Sequence, residues 1–255
     1  MNRNVTKSQW NGYERHDFIF EGRKAVVTIP QTPAPDQPWI WETKDFDKFH
    51  QVEMTMLEKG WHIVYYDVGG MFGCPQAISC MRIFHAYLEG FYDLMPQAAM
   101  FGFCAGALYA FNYAYAYPKK VAALCLDSPV LDIRSWPGGK GVGPGSPADW
   151  QLCMAVYGLS DQTAWEFKGS PLDNAEKVAW SGIPVVIIYR DQDMLVPFSE
   201  NSEVLIEKYS RAKGGIKVVV EAGSGHDDHN LKNPMEVAEF IIRNARFSKQ
   251  DGAAQ

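Results

Sequence analysis

Short continuous apolar runs alternate with longer stretches of helical periodicity along most of this chain, a pattern that predicts strands and helices in turn. Residues 16–20 (HDFIF) and 24–29 (KAVVTI) read as two strands separated by a Glu-Gly turn. A proline-rich link, PQTPAPDQP, leads to a short apolar strand, WIW at 39–41. A helical pattern over 47–59 ends at Gly60. WHIVYYDV (61–68) is apolar, β-branched and aromatic, and reads as a buried strand stopped by Gly69-Gly70. A helix over 76–95, a strand at 98–103 (AAMFGF), a helix from about 105 to 116 and a strand at 121–130 follow.

The rhythm breaks between 131 and about 180. That segment opens with SWPGGKGVGPGSP, which is loop material, and continues with short helical pieces around 148–157, 161–168 and 174–179. Alternation resumes with IPVVIIY (183–189), a helix over about 198–212, IKVVVE (216–221) and a last helix at 234–246. Fully apolar strands separated by helices imply an α/β fold: a mostly parallel central sheet flanked by helices on both faces. Residues 131–180 fall between two sheet strands and read as a cap-like insertion within one domain spanning 1–255.

Composition narrows the class. The chain has 255 residues, 47% hydrophobic and 21% charged, and a formal net charge of -6. A negative chain is a poor match for nucleic acid or an anionic membrane, so a small-molecule substrate is the expected partner, with a homo-oligomer left open. The N-terminal stretch is polar, without the apolar centre of a signal peptide, and a cytoplasmic location is expected. Five cysteines without a CxxC pair point away from a disulfide framework or a zinc site; no metal and no cofactor are expected.

The chemistry starts at Gly102-Phe103-Cys104-Ala105-Gly106, a G-x-C-x-G between a buried strand and a helix. A strained turn there projects the middle side chain above the sheet, and glycines on either side relieve crowding. Cys104 would lie at a helix N-terminus, where the dipole favours a thiolate. The N–H of Ala105 would face the oxyanion of a tetrahedral intermediate.

Partners for such a nucleophile come in the order nucleophile, acid, histidine. Asp193, three residues before Val196-Pro197 and just past strand 183–189, is the expected acid, with Asp191 and, less strongly, Asp127 as alternatives. His226, after the Gly-Ser-Gly loop that follows the last strand, is the expected base. His229 reads as a local hydrogen-bonder or rim residue, since a histidine pair without a third ligand is weak evidence for a metal. The second oxyanion donor is expected where the loop after strand 39–41 begins, at the N–H of Glu42, with Trp41 as the outside choice. Trp41, Trp136, Met71 and Phe72 are candidates for a substrate pocket.

Together these residues resemble the α/β-hydrolase superfamily, from about 16 to 247. GFCAGALYAFNYAYAYPKKVAALCLDSPV is similar to its elbow, helix and next strand; IPVVIIYRDQDMLVPFSEN and GSGHDDHNL are similar to its acid and histidine segments. More narrowly, PWIW, DSPVLDIRSWPGG, the Asp-Trp at 149–150 and SPLDN resemble a bacterial group of small hydrolases often found near carbohydrate-degrading genes. That group usually carries serine at the elbow, and a further glycine where this chain has Ala107. A cysteine nucleophile resembles dienelactone hydrolase, which uses Cys, Asp and His on the same fold. The resemblance implies a hydrolase of esters, thioesters or lactones, with a carbohydrate-derived substrate in view. The competing expectations are an inactive binding protein of the same fold and a serine enzyme whose nucleophile has been replaced.

Overall fold

A computed structural model describes residues 5–228 and 230–247. Their strands are β1 (Thr6–Trp10), β2 (Tyr13–Phe20), β3 (Arg23–Ile29), β4 (Trp39–Thr43), β5 (His62–Tyr66), β6 (Ala98–Phe103), β7 (Val121–Asp127), β8 (Val185–Arg190) and β9 (Ile216–Glu221). The helices are α1 (His50–Glu58), α2 (Pro75–Phe91), α3 (Gly106–Ala116), α4 (Pro147–Tyr157), α5 (Asp161–Glu166), α6 (Ala175–Trp180), α7 (Ser202–Arg211) and α8 (Pro234–Asn244).

The strands form one sheet in the order β1-β2-β3-β5-β4-β6-β7-β8-β9. From β5 through β9 every pairing is parallel, and the first three strands join by antiparallel pairing. Two-residue turns at Asn11-Gly12 and Glu21-Gly22 connect those first strands. All four residues have positive φ, as the type I′ hairpin requires, and the glycines take it without strain. Strand β1 was absent from the sequence reading. It is an edge strand, TKSQW, with four of its five residues exposed, so no apolar periodicity marked it.

Central strands are buried along their whole length: every residue of β4, β6 and β7 is buried, as a sheet covered on both faces demands. One face packs an aromatic layer in which Trp39 and Trp41 stack at 5.5 Å and meet His85 on α2 and, for Trp41, Tyr113 on α3. Helix α3 buries residues on nearly all sides, the mark of a helix enclosed rather than resting on a surface.

Between β7 and β8 the chain leaves the sheet, as expected, but the segment divides. The 3-10 turn Pro171–Asn174 packs against α3, and helix α6 against α3 and α7, so the part standing apart from that layer ends near residue 170. Its beginning is clamped by buried Asn201, whose Oδ1 accepts the Leu131 N–H at 2.9 Å and whose Nδ2 donates to Ser135 Oγ at 3.0 Å. Its helix α4 is tied to the loop after β5, the Tyr157 hydroxyl donating to the Phe72 carbonyl at 2.8 Å. Among the described residues no helix is long and apolar enough to cross a membrane.

Candidate active site

Cys104 follows β6 directly and has φ of 48°, in the left-handed region where a cysteine is strained. Neighbouring strands and the helix hold it there. Its N–H donates to the Asp127 carbonyl at 3.0 Å, and its carbonyl accepts from Val130 at 3.0 Å and Ala107 at 3.1 Å. The two flanking glycines relieve crowding as expected, a Cβ at Gly102 lying 2.8 Å from the Gly106 carbonyl carbon, and each has a further part. A Cβ at Gly102 would lie 2.7 Å from the backbone of Ala107, so this glycine lets the helix fold back on its strand. A Cβ at Gly106 would lie 2.5 Å from the Thr43 carbonyl oxygen, so that glycine lets α3 approach β4. The Thr43 hydroxyl bridges the same junction, 2.9 Å from the Phe101 carbonyl and 2.8 Å from that of Gly106. Ala105 begins the first turn of α3, where backbone N–H groups have no acceptor within the helix.

His226 and Asp193 are brought to the same end of the sheet by the loops after β9 and β8. His226 Nδ1 is 2.7 Å from Asp193 Oδ2. Asp193 Oδ1 accepts the N–H groups of Leu195 and Val196, each at 2.9 Å. On its other side His226 feels Cys104, whose hydrogen bonding and charge help raise its pKa. The imidazole also leans on Phe103, ring centroids 5.3 Å apart. Burial pulls the His226 pKa down, but hydrogen bonds to Asp193 and Cys104 and their charges outweigh it and push it up to about 10. For Asp193, burial raises the pKa, but the bonds from His226, Val196 and Leu195 prevail and hold it below the ordinary carboxylate range.

The alternative acids have other partners. Asp191 accepts the Gly223 N–H at 2.7 Å and, with the Gln192 N–H on the Ser224 carbonyl at 3.1 Å, fastens the histidine loop to the acid loop. Asp127 is buried and paired with buried Arg190, which also donates to Ser128 Oγ at 3.2 Å and, through Nε, to the Asp228 carbonyl. Burial raises Asp127 to about 6 against the lowering effect of Arg190. His229 lies outside the described residues.

Two expectations are corrected. Strand β4 runs on through Thr43, so the loop begins at Lys44 and Glu42 sits inside the ladder, paired with Tyr65 on one side and Phe101 on the other. Its carboxylate does not face a substrate either. It is buried, and it accepts the N–H groups of Asp47 at 2.7 Å and Lys48 at 3.2 Å ahead of α1. The loop that follows β4 on this side starts at Lys44, which has φ of 82°. Trp41 is the second correction: it is fully buried in the aromatic layer beneath α2 and α3 and lines no pocket. Trp136 and Phe72 do meet, at 6.1 Å between ring centroids, and both are nearly buried. Met71 is half-buried, its N–H donating to the Tyr109 hydroxyl at 2.9 Å.

No protein-family model matches the chain, and no curated protein matches its sequence. Solved structures do match in shape. S-formylglutathione hydrolase from Agrobacterium tumefaciens superposes over 95% of this chain and 96% of its own, with a TM-score of 0.65 and 13% identity. The chain has the α/β-hydrolase fold. Est1E from Butyrivibrio proteoclasticus is similar over 94% of this chain and 96% of its own, with a TM-score of 0.63 and 16% identity. Acylaminoacyl peptidase from Pyrococcus horikoshii is similar over 98% of this chain and 42% of its own, with a TM-score of 0.68 and 13% identity. Within the α/β-hydrolase fold, the loops that carry Cys104, Asp193 and His226 all leave the carboxyl ends of parallel strands, where this architecture gathers its ligand sites.

Proposed function

We propose that this protein hydrolyses a labile acyl bond, an ester, thioester or lactone, by two-step acyl transfer with Cys104 as nucleophile, His226 as proton carrier and Asp193 as its orienting acid. The observation that carries this reading is the His226–Asp193 pair at 2.7 Å, whose imidazole also feels Cys104, with Cys104 held at positive φ on a strand-to-helix turn. The S-formylglutathione hydrolase with the same fold is named for a thioester substrate, which agrees with this class.

In the first step the Cys104 thiolate forms a bond to the acyl carbon, and the carbonyl electrons move onto oxygen, facing the Ala105 N–H. One such donor is worth roughly 3 kcal/mol in the transition state. The tetrahedral species collapses, the bond to the leaving group breaks, and the His226 imidazolium supplies its proton to that group. In the second step neutral His226 takes a proton from water, the resulting hydroxide attacks the thioester, and the thiolate leaves. Asp193 stabilises the imidazolium throughout and fixes which nitrogen carries the exchanged proton.

Sulfur sets the substrate class. A thiolate leaves more readily than an unprotonated nitrogen or alkoxide, so forward collapse depends on the proton from His226, and esters, thioesters and lactones demand less of it than amides. The rings of Trp136 and Phe72, and Trp165 with Lys140 above it at 4.8 Å, suit a sugar or a planar acyl group.

The test is a panel of aryl esters, thioesters and lactones offered to the parent protein, Cys104→Ala and Cys104→Ser. Hydrolysis by the parent, with loss in Cys104→Ala and trapping of a mass-shifted Cys104 acyl adduct, is expected. Equal rates in parent and Cys104→Ala would overturn the proposal.

A further inference from the structure

The loop between β4 and α1 gathers ionisable side chains that the triad does not use. Glu42 ends its side chain against the N–H groups that precede α1, and this role occupies it. Glu53, in the first turn of α1, is completely buried, yet neither of its carboxylate oxygens meets a hydrogen-bond donor. Its neighbour is a second carboxylate, Glu42. Asp47 and His50 stand on the open side of the same cluster, with Asp47 Oδ1 2.7 Å from His50 Nδ1. One ligand atom each from Asp47, His50 and Glu53 lie within 4.8 Å of one another. The residues read D-x-x-H-x-x-E, spaced so that the loop end and the first turn of α1 converge.

We propose that Asp47, His50 and Glu53 bind one divalent transition-metal ion of the zinc or manganese class. Two carboxylates neutralise a dication, and an imidazole with carboxylates is a donor set suited to zinc and manganese more than to calcium or magnesium. Glu53 supplies the strongest reason. A carboxylate at this depth, set against the second carboxylate of Glu42, is costly as a bare ion. A cation would satisfy it, as would a proton shared with Glu42.

The rest of the local structure suits this assignment. Asp47 has φ of 65°, so its backbone turns sharply where the carboxylate has to swing toward α1. The His50 ring is held edge-on by Trp10 of β1, 5.5 Å between centroids. Side chains of Asp47 and His50 are 41% and 49% exposed, so two of the three ligands can meet an ion from solvent. With three protein donors, one position remains for water in a tetrahedral zinc site and three in an octahedral manganese site. The ion would brace the Lys44–Phe49 segment, which begins beside the elbow at Thr43 and sends Lys48 over the Phe103 ring at 5.7 Å.

This proposal is independent of the hydrolase reading and is tested by binding. Tag-free full-length protein carrying Cys104→Ala, which keeps zinc off the cysteine–histidine pair, is stripped with chelator and titrated calorimetrically with Mn²⁺ and with Zn²⁺. Thermal melting is followed in parallel. One ion per chain and a raised melting temperature are expected, with affinity at least about tenfold weaker in His50→Ala and in Glu53→Gln. No uptake at millimolar metal overturns the proposal and leaves the shared proton as the state of Glu53. Unchanged affinity in His50→Ala, a substitution at an exposed position that does not threaten folding, overturns it as well.

Discussion

Asp193 meets His226 through one oxygen, Oδ2 at 2.7 Å from Nδ1, while its other oxygen is fixed by two backbone N–H groups at 2.9 Å. The acid is therefore positioned by its own loop and needs no help from the histidine. Asp193→Asn keeps those loop contacts but removes the charge that holds the imidazolium. A fall in kcat/KM of roughly 10²- to 10⁴-fold is expected, with little change in melting temperature. Asp191→Asn, at the residue that grips Gly223, should stay within a few-fold of the parent. Steady-state hydrolysis of an aryl ester by both variants checks the choice between the two aspartates.

His226 also makes a pH prediction. Its pKa in the folded chain, about 10, lies above the ordinary imidazole value of 6.5. Folding is thus favoured by this group below pH 6.5, and that contribution is lost as pH rises from there through about 10. Acyl transfer should lose its proton donor over the upper end of the same window. A basic limb near pH 10 in the rate of Cys104 acylation is expected, moving to lower pH in Asp193→Asn because the carboxylate that raises the pKa is gone. A limb that stays in place would disprove the coupling.

The placement of Cys104, Asp193 and His226 at one end of the sheet was legible because each follows an apolar strand that ends in turn-forming residues. The second oxyanion position was not. Glu42 and Thr43 look like the start of a loop, yet both are buried in β4. Their polar groups find partners at the N-terminal end of α1 and at the carbonyls of Phe101 and Gly106, and the latter are remote in sequence. Trp41 was misplaced for a related reason: an apolar residue at a strand end is compatible with a pocket or a core, and only the arrival of α2 and α3 decides. The Asp47, His50 and Glu53 cluster also escaped notice, since two exposed polar residues and one glutamate on a helix look like an ordinary solvated face. It is the burial of Glu53 that sets them apart.

Arg190 has two tasks that can be separated. It neutralises Asp127 in the core, and through Nε it holds the Asp228 carbonyl, two residues beyond His226. Removing one partner of a buried ion pair typically costs about 3–5 kcal/mol. Arg190→Met should approach that loss and also lower kcat, because the histidine loop is released. Asp127→Asn should lose stability while retaining more activity, since the Asp228 contact survives. Urea unfolding paired with ester hydrolysis distinguishes the two; equal effects on both measurements would deny Arg190 a part in holding the histidine loop.

Gly106→Ala tests the approach of α3 to β4. The new methyl would sit 2.5 Å from the Thr43 carbonyl, a backbone atom that moves only if the strand or helix moves. Overpacking of this kind costs about 1–3 kcal/mol. The displaced helix start carries Ala105, so oxyanion stabilisation should fall with it. A lower melting temperature together with reduced kcat and little change in KM is expected. Ala107→Gly, next to it and free of that clash, should leave kcat near the parent value.

Two buried histidines should weaken the fold in acid. Burial pulls His62 down to about 4; burial, with Lys120 and Arg82 nearby, pulls His85 down to about 3. Both are neutral when folded, and unfolding lets them take up protons below the ordinary value of 6.5. As pH drops through that value the unfolded state gains, and the loss grows until each folded pKa is reached. Each histidine can contribute on the order of 3 kcal/mol by pH 4. Stability should therefore decline from about pH 6.5 downward, ahead of the range where carboxylates protonate. His85→Gln, which can still bond the Tyr113 hydroxyl now 2.7 Å from Nδ1, should be less stable at pH 7 but flatter in its acid dependence. Equilibrium unfolding from pH 4 to 8 checks this, and a slope unchanged from the parent would show that His85 is not among the groups responsible.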